Sequence, residues 1–139
     1  MMAEIMVDSN VLLDVLTEDP HWFGWSIAAI EEHAEDNTLV INAVIYAEVS
    51  IAFDRMEDLQ EALPPGLVID RPIPLEAAFL AGKCFAMYRR RGGTKTAPLP
   101  DFFIGAHAAV GGMSLITRDA PRYRTYFPSL KLICPAGLT

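Results

Sequence analysis

Apolar positions along the chain switch between two spacings, and the switches divide it into alternating strands and helices. "EIMV" is a short apolar run closing on Asp8, which reads as a buried strand. "SNVLLDVLTEDP" then carries helical apolar spacing until Pro20 and its acidic neighbours interrupt it. "HWFGWSIAAIEEHAEDN" gathers apolar groups in its first half and charge in its second, predicting an amphipathic helix that finishes around Asn37. "TLVI" is a second buried strand, after which Asn42 is placed to cap a helix over "AVIYAEVSIAFDRM". "EDLQEALPPG" predicts a short helix stopped by Pro64, Pro65 and Gly66, and "LVIDRPI" a third strand.

"PLEAAFLAGKCFAMYRRRGG" has Pro at a helix start, apolar groups at helical spacing and paired glycines at the end, so it predicts a long helix with a basic last turn. Beyond the loop "TKTAPLP", a helix runs to about Val110, Gly111 and Gly112 stop it, and "MSLIT" and "LKLICP" are the last strands. Strands alternating with helices predict an α/β fold whose mainly parallel central sheet is covered by helices on both faces. Ligands of such sheets bind beyond the carboxyl ends of the strands. With 139 residues, no internal repeats and no linker composition, one domain over residues 1–139 is expected.

Charge narrows the function. Eleven basic against eighteen acidic side chains give a net charge of -7, which excludes a protein held on nucleic acid by a global positive field. A polyanion would have to be gripped locally or through a metal. Cys84 and Cys134 show no metal-ligand spacing and read as reduced, buried thiols. "MMAEIMVDSNVLL" has no basic leader segment and no apolar run nears the ~18 residues of a membrane span, so a soluble, cytoplasmic protein without membrane contact is expected. Phosphate-binding glycine loops and a serine nucleophile elbow are absent, and no His/Cys cluster suggests zinc; His107 reads as a packed helical histidine.

Four acids stand where solubility does not need them. Asp8 follows the first strand at the edge where a site is expected, although "DSN" would equally cap the next helix. Glu48 has Val44, Ile45, Ile51 and Ala52 as its helical neighbours, an apolar face on which an ionised carboxylate needs a cation, a hydrogen-bond network or a proton. A structural salt bridge is the competing reading. Between Asp101 and Asp119, about ten helical residues rise ~15 Å and about five strand residues return ~16 Å. Both acids should therefore end at the edge where Asp8 stands, with Gly105 and Ala108 letting the helix lie close to the sheet. Glu48, some six residues into its helix, joins them only if that helix leans across the strand ends. Several acids meeting at one edge repel, and a hard cation such as Mg²⁺ or Mn²⁺ is the economical way to keep them ionised.

"VDSNVLLDVL", "INAVIYAEV", "YRRRGG", "LPDFFIGAHA" and "LITRD" followed by "RYRTYFP", in this order, resemble the PIN-domain ribonucleases, in particular the VapC-type toxins of toxin–antitoxin pairs. The resemblance spans nearly the whole chain. It implies an acidic metal site at Asp8, Glu48, Asp101 and Asp119, supported by Asn10 and Thr117, and Mg²⁺- or Mn²⁺-assisted hydrolysis of RNA phosphodiesters. It also implies a cognate antitoxin and a homodimer, for which Trp22 and Trp25 are interface or core residues. Arg89, Arg90, Arg91, Lys95, Arg118 and Arg122 flank the expected site and are candidate RNA contacts; a helix end favoured by its dipole explains the first three equally. Asp119 has a competing reading as a turn acid, and Asp14 reads as structural. Two other functions are carried: a binding module that keeps the fold without catalysis, and an aspartyl-phosphate phosphatase, which would want an acid where Asn10 stands.

Overall fold

The computed structural model describes residues 3–96 and 99–137. Among the described residues, strands β1 (Glu4–Val7), β2 (Thr38–Ile41), β3 (Ile69–Asp70), β4 (Ser114–Ile116) and β5 (Leu132–Ile133) form one sheet in the order β3-β2-β1-β4-β5. Every pairing is parallel, as the alternation of elements requires. The helices are α1 (Ser9–Leu16), α2 (Phe23–Ala34), α3 (Ala43–Ser50), α4 (Met56–Ala62), α5 (Leu75–Arg90), α6 (Pro100–Val110) and α7 (Ala120–Tyr126).

The central strands are apolar without alternation because both faces are covered. Met6, Val7, Val40, Leu115 and Ile116 are all fully buried. The chain leaves β1 towards β2 and β3, then returns to β4 and β5 on the other side, so the strand order reverses between β1 and β4. A crevice opens at the carboxyl ends of the two strands where such a reversal occurs. Asp8 ends β1 there and Thr117 ends β4.

Asn42 caps α3 as expected, its side-chain oxygen accepting from the Ile45 amide at 2.9 Å. Its Nδ2 also stands 3.1 Å from Nδ1 of His107, which is the packed helical histidine anticipated. Gly112, at φ 65°, turns the chain from α6 into β4.

Several elements differ from expectation. Helix α2 ends at Ala34, short of Asn37, whose side-chain amide donates to the His33 carbonyl at 3.0 Å and closes the helix end. Helix α3 ends at Ser50, where Ile51, Ala52 and Phe53 donate to carbonyls three residues back and tighten the last turn out of α geometry. The segment read as the third strand pairs over two residues only. Helix α7 was not anticipated; Pro121 in its first turn is the start signal. Gly105 makes its close approach to Phe127 rather than to the sheet, since a Cβ there would fall 2.4 Å from the ring. Cys84 is buried as expected, but Cys134 is only half-buried; both are free. Among the described residues no helix is long and apolar enough to cross a membrane.

Candidate active site

Asp8 combines the two readings its position allowed. Its extended backbone caps α1, and Oδ1 accepts from the Ser9 amide at 2.8 Å. Oδ2 accepts from Thr117 Oγ1 at 2.8 Å, Tyr123 Oη at 3.0 Å and Asn10 Nδ2 at 3.3 Å. The side chain is 3 % exposed. Asn10 also donates to Thr117 and accepts from the Arg118 amide, so both supporting polar residues fix the carboxylate's orientation.

Helix α3 packs against α1, and Glu48 thereby reaches the residues at the strand ends. Ser9 Oγ donates to Oε1 of Glu48 at 2.8 Å and lies 3.5 Å from Oδ1 of Asp8, linking the two acids. On the other side Tyr123 Oη, fully buried, reaches within 3.4 Å of Asp101 Oδ1 while it donates to Asp8. Arg122 Nη1 is 3.9 Å from Asp101 Oδ2. Asp119 is exposed at the start of α7 and caps nothing with its side chain. It shares with Asp101 the wall of a cleft of about 520 Å³.

The electrostatics follow from burial. Desolvation raises Asp8 to about 6, opposed by the hydroxyls of Thr117 and Tyr123 and reinforced by the Asp101 charge. Burial also raises Glu48, against the bond from Ser9 and with repulsion from Asp101. Asp101 is raised by burial, partly offset by Arg122 and increased by Asp119. Tyr123 is pushed well above the phenol range by burial and then by the Asp8 and Asp101 charges, so it remains a proton donor. Acids raised in this way by burial at a crevice are a signature of chemistry rather than of solubility.

Among the described residues no three His, Cys, Asp or Glu side chains already form a group that would hold a metal ion. Asp8, Glu48 and Asp101 are joined through intervening hydroxyls instead of around one point. A hard cation that retains several waters needs only one or two carboxylates directly, with oxygen donors throughout. The donor set fits such an ion: among the described residues the Asp101 oxygens meet only the long contacts from Tyr123 and Arg122, and Asp8 Oδ1 is engaged by Ser9 alone. It does not fit zinc, since His107 is committed to Asn42 away from the acids.

The basic candidates separate. Arg118 makes a two-pronged pair with Asp14, Nε to Oδ2 at 2.7 Å and Nη2 to Oδ1 at 3.0 Å, and its guanidinium lies over Trp22. Ser26 donates to the same carboxylate at 2.7 Å. Arg118 is thus occupied by the buried acid Asp14, and its guanidinium lies over Trp22; Trp25 packs against the core. Arg89 donates to the Lys95 carbonyl, Arg90 is exposed, and Arg91 lies over the Tyr126 ring beside the cleft that Arg122 lines. Ser9 and Tyr123 were missed. Ser9 is the middle residue of "DSN", one position from an acid, and Tyr123 becomes visible only once α7 is predicted, four residues after Asp119.

A family model described as PIN domain matches residues 5–128. The chain belongs to the PIN domain family. Among solved structures, this PIN domain superposes on VapBC2 from Rickettsia felis bound to a promoter DNA fragment with a TM-score of 0.72. The identity there is 19%, covering 96% of this chain and 99% of that one. VapBC-1 from nontypeable Haemophilus influenzae gives a TM-score of 0.70 at 18% identity over 96% and 98% of the two chains. FitAcB from Neisseria gonorrhoeae gives 0.65 at 19% identity over 93% and 96%. Among curated proteins no sequence match is found. At these identities the structural likeness establishes the fold alone, over 93–96% of the chain.

Proposed function

We propose that this PIN domain is a Mg²⁺-dependent endoribonuclease, with Mn²⁺ as a substitute, acting as the toxin of a toxin–antitoxin pair. The observation that carries the reading is the linked set Asp8, Glu48 and Asp101 at the sheet's switch point, bridged by Ser9 and Tyr123. These three would hold the cation, with Asp119, on the wall of the same cleft as Asp101, as a fourth acid for it. A divalent cation bound there supplies an activated water and neutralises charge on the attacked phosphate. Thr117 and Asn10 hold Oδ2 of Asp8 and the Ser9 amide holds Oδ1, which fixes the carboxylate, and the Ser9 hydroxyl orients Glu48. The carboxylates position; none is placed to attack.

Antitoxin complexes among the structural neighbours support a protein partner. An apolar groove of about 380 Å³ between α1 and α2, lined by Leu12, Val15, Leu16, Phe23, Ile27 and Ile30 among others, suits an amphipathic segment of it. Leu75 and Phe79, 83 % and 68 % exposed one turn apart on α5, support a homodimer.

Cleavage of RNA by the purified protein with Mn²⁺, with EDTA added, and in Asp8→Asn tests the activity. Cleavage lost in both arms is expected; metal-independent cleavage or a fully active variant overturns the mechanism. Among the described residues no three His, Cys, Asp or Glu side chains already form a ligand group, which favours one other reading, a PIN-fold binding module without catalysis. That reading predicts RNA binding without cleavage. Expression of the wild type should arrest bacterial growth, and expression of Asp8→Asn should not.

A further inference from the structure

The cleft of about 520 Å³ adjoining the acids has a second half that the nuclease reading does not use. The whole cleft is lined by Tyr88, Asp101, Asp119, Arg122, Thr125 and Tyr126, with Pro121 at its side, and its second half holds Tyr88, Arg122, Thr125 and Tyr126. Asp119, Arg122 and Tyr126 recur at helical spacing, so the cleft follows one face of α7 over about seven residues, ~10 Å. That length exceeds what a lone phosphate needs. The chemistry changes along it, from carboxylates through a guanidinium and a hydroxyl to an aromatic ring.

The opposite wall is built rather than incidental. Tyr88 Oη accepts from the amides of Thr94 and Lys95 at 3.2 and 3.3 Å, and Arg89 holds the Lys95 carbonyl at 2.9 Å. Gly93 lies so close to the Tyr88 ring that a Cβ would fall 2.3 Å from it. The segment after α5 is thereby wrapped on a tyrosine that faces the cleft.

Arg122 is the loosest charged contact in the site. It is 3.9 Å from Asp101, with its guanidinium 6.0 Å from the Phe102 ring centre and its side chain 40 % exposed. A cation among the acids would replace it as the partner of Asp101, leaving its charge for an anion in the cleft. Arg91 lies 5.3 Å over the Tyr126 ring, and being exposed it can yield that face to a base while its charge stays with a phosphate backbone. The acidic end alone would suit a basic peptide, but Arg122 within the cleft and Arg91 over the ring at its far end favour a nucleic acid strand.

We propose that this cleft is the subsite for the nucleotide flanking the scissile phosphate of single-stranded RNA. Arg122 takes the backbone phosphate, Thr125 hydrogen-bonds the sugar or base edge, and Tyr126 stacks the base. An unpaired strand is required, because a base inside a duplex cannot reach an aromatic face. The inference rests on the nuclease reading and adds a determinant of which phosphodiester is cut.

The test uses a short single-stranded RNA that the wild type cuts with Mn²⁺, together with a randomised pool. Arg122→Gln, Thr125→Val and Tyr126→Leu are compared with the wild type, the leucine keeping an apolar group against Phe102. Arg122→Gln and Tyr126→Leu are expected to raise KM roughly 5- to 150-fold, the range of losing a stacked base. The change in kcat should be smaller, Mn²⁺ affinity by calorimetry unchanged in Tyr126→Leu, and base preference beside the cut relaxed. Folded variants, by circular dichroism, that keep the wild-type KM and preference overturn the subsite while leaving the nuclease standing. Variants that alter inhibition by an oligoarginine peptide but not the KM for RNA overturn it as well. A wild type that cuts no RNA removes both.

Discussion

Tyr123 shows how single side chains set the chemistry of this site. Its hydroxyl gives its proton to Asp8 while standing beside Asp101, and thereby occupies the space between two acids that would otherwise repel across it. Partners of this kind orient a ligand's free oxygen, and losing one costs about 10- to 100-fold in metal affinity. Tyr123→Phe should weaken Mn²⁺ binding by that order in calorimetry with near-normal secondary structure; unchanged affinity would remove the positioning role. Asp8, when ionised, lowers the stability of the fold. Its folded value near 6 lies above the 3.8 of a free carboxyl, so above pH 6 it is ionised in both states and its burial penalty is complete. As pH falls through 6 towards 4 the folded state takes up the proton and the penalty disappears. Asp8→Asn, which keeps the cap, should be more stable than the wild type at pH 7.5 by about 1–3 kcal/mol. Denaturant curves should show that advantage shrinking towards pH 4; an advantage constant with pH would show that Asp8 does not titrate as argued.

At the scale of elements, helix α7 decides the site, and the contact that fixes it is the close approach of Gly105 on α6 to Phe127 just beyond α7. Phe127 is buried, so its ring has little room to move. Gly105→Ala forces an overpacked contact, expected to cost about 1–3 kcal/mol. It should also displace Tyr123, visible as reduced Mn²⁺ affinity beyond the fall in melting temperature; an unaltered melting temperature would show that the approach is slack. Other elements were legible locally: the apolar runs 4–7 and 38–41, the Asn42 cap and the Gly111-Gly112 stop each announce themselves within a few residues. Helix α7 was not, because "RYRTY" offers polar and aromatic groups without a clear period, and Tyr123 is buried there by neighbours distant in sequence. Glu48 was legible as an acid on an apolar face, but its partner was not.

For the whole molecule, the link between the two halves of the sheet is ionic as well as apolar. Arg118, following β4, grips Asp14 on α1, and Ser26 on α2 completes the carboxylate's partners. Asp14 is 2 % exposed, so removing its cation leaves a charge in the interior. Arg118→Ala is expected to cost about 3 kcal/mol, and Asp14→Asn in the same chain should recover part of it in thermal unfolding. Additive losses would show that the two residues act independently. The sequence by itself determined the alternation of strands and helices, the parallel sheet and the gathering of Asp8, Asp101 and Asp119 at one edge, because period, strand length and helix rise are local quantities. Only the tertiary structure decided that Glu48 joins them through Ser9, that Tyr123 stands between Asp8 and Asp101, and that Arg118 serves Asp14. These bonds close over sequence separations of 39, 115 and 104 residues, and no local periodicity specifies which side chains meet across such distances.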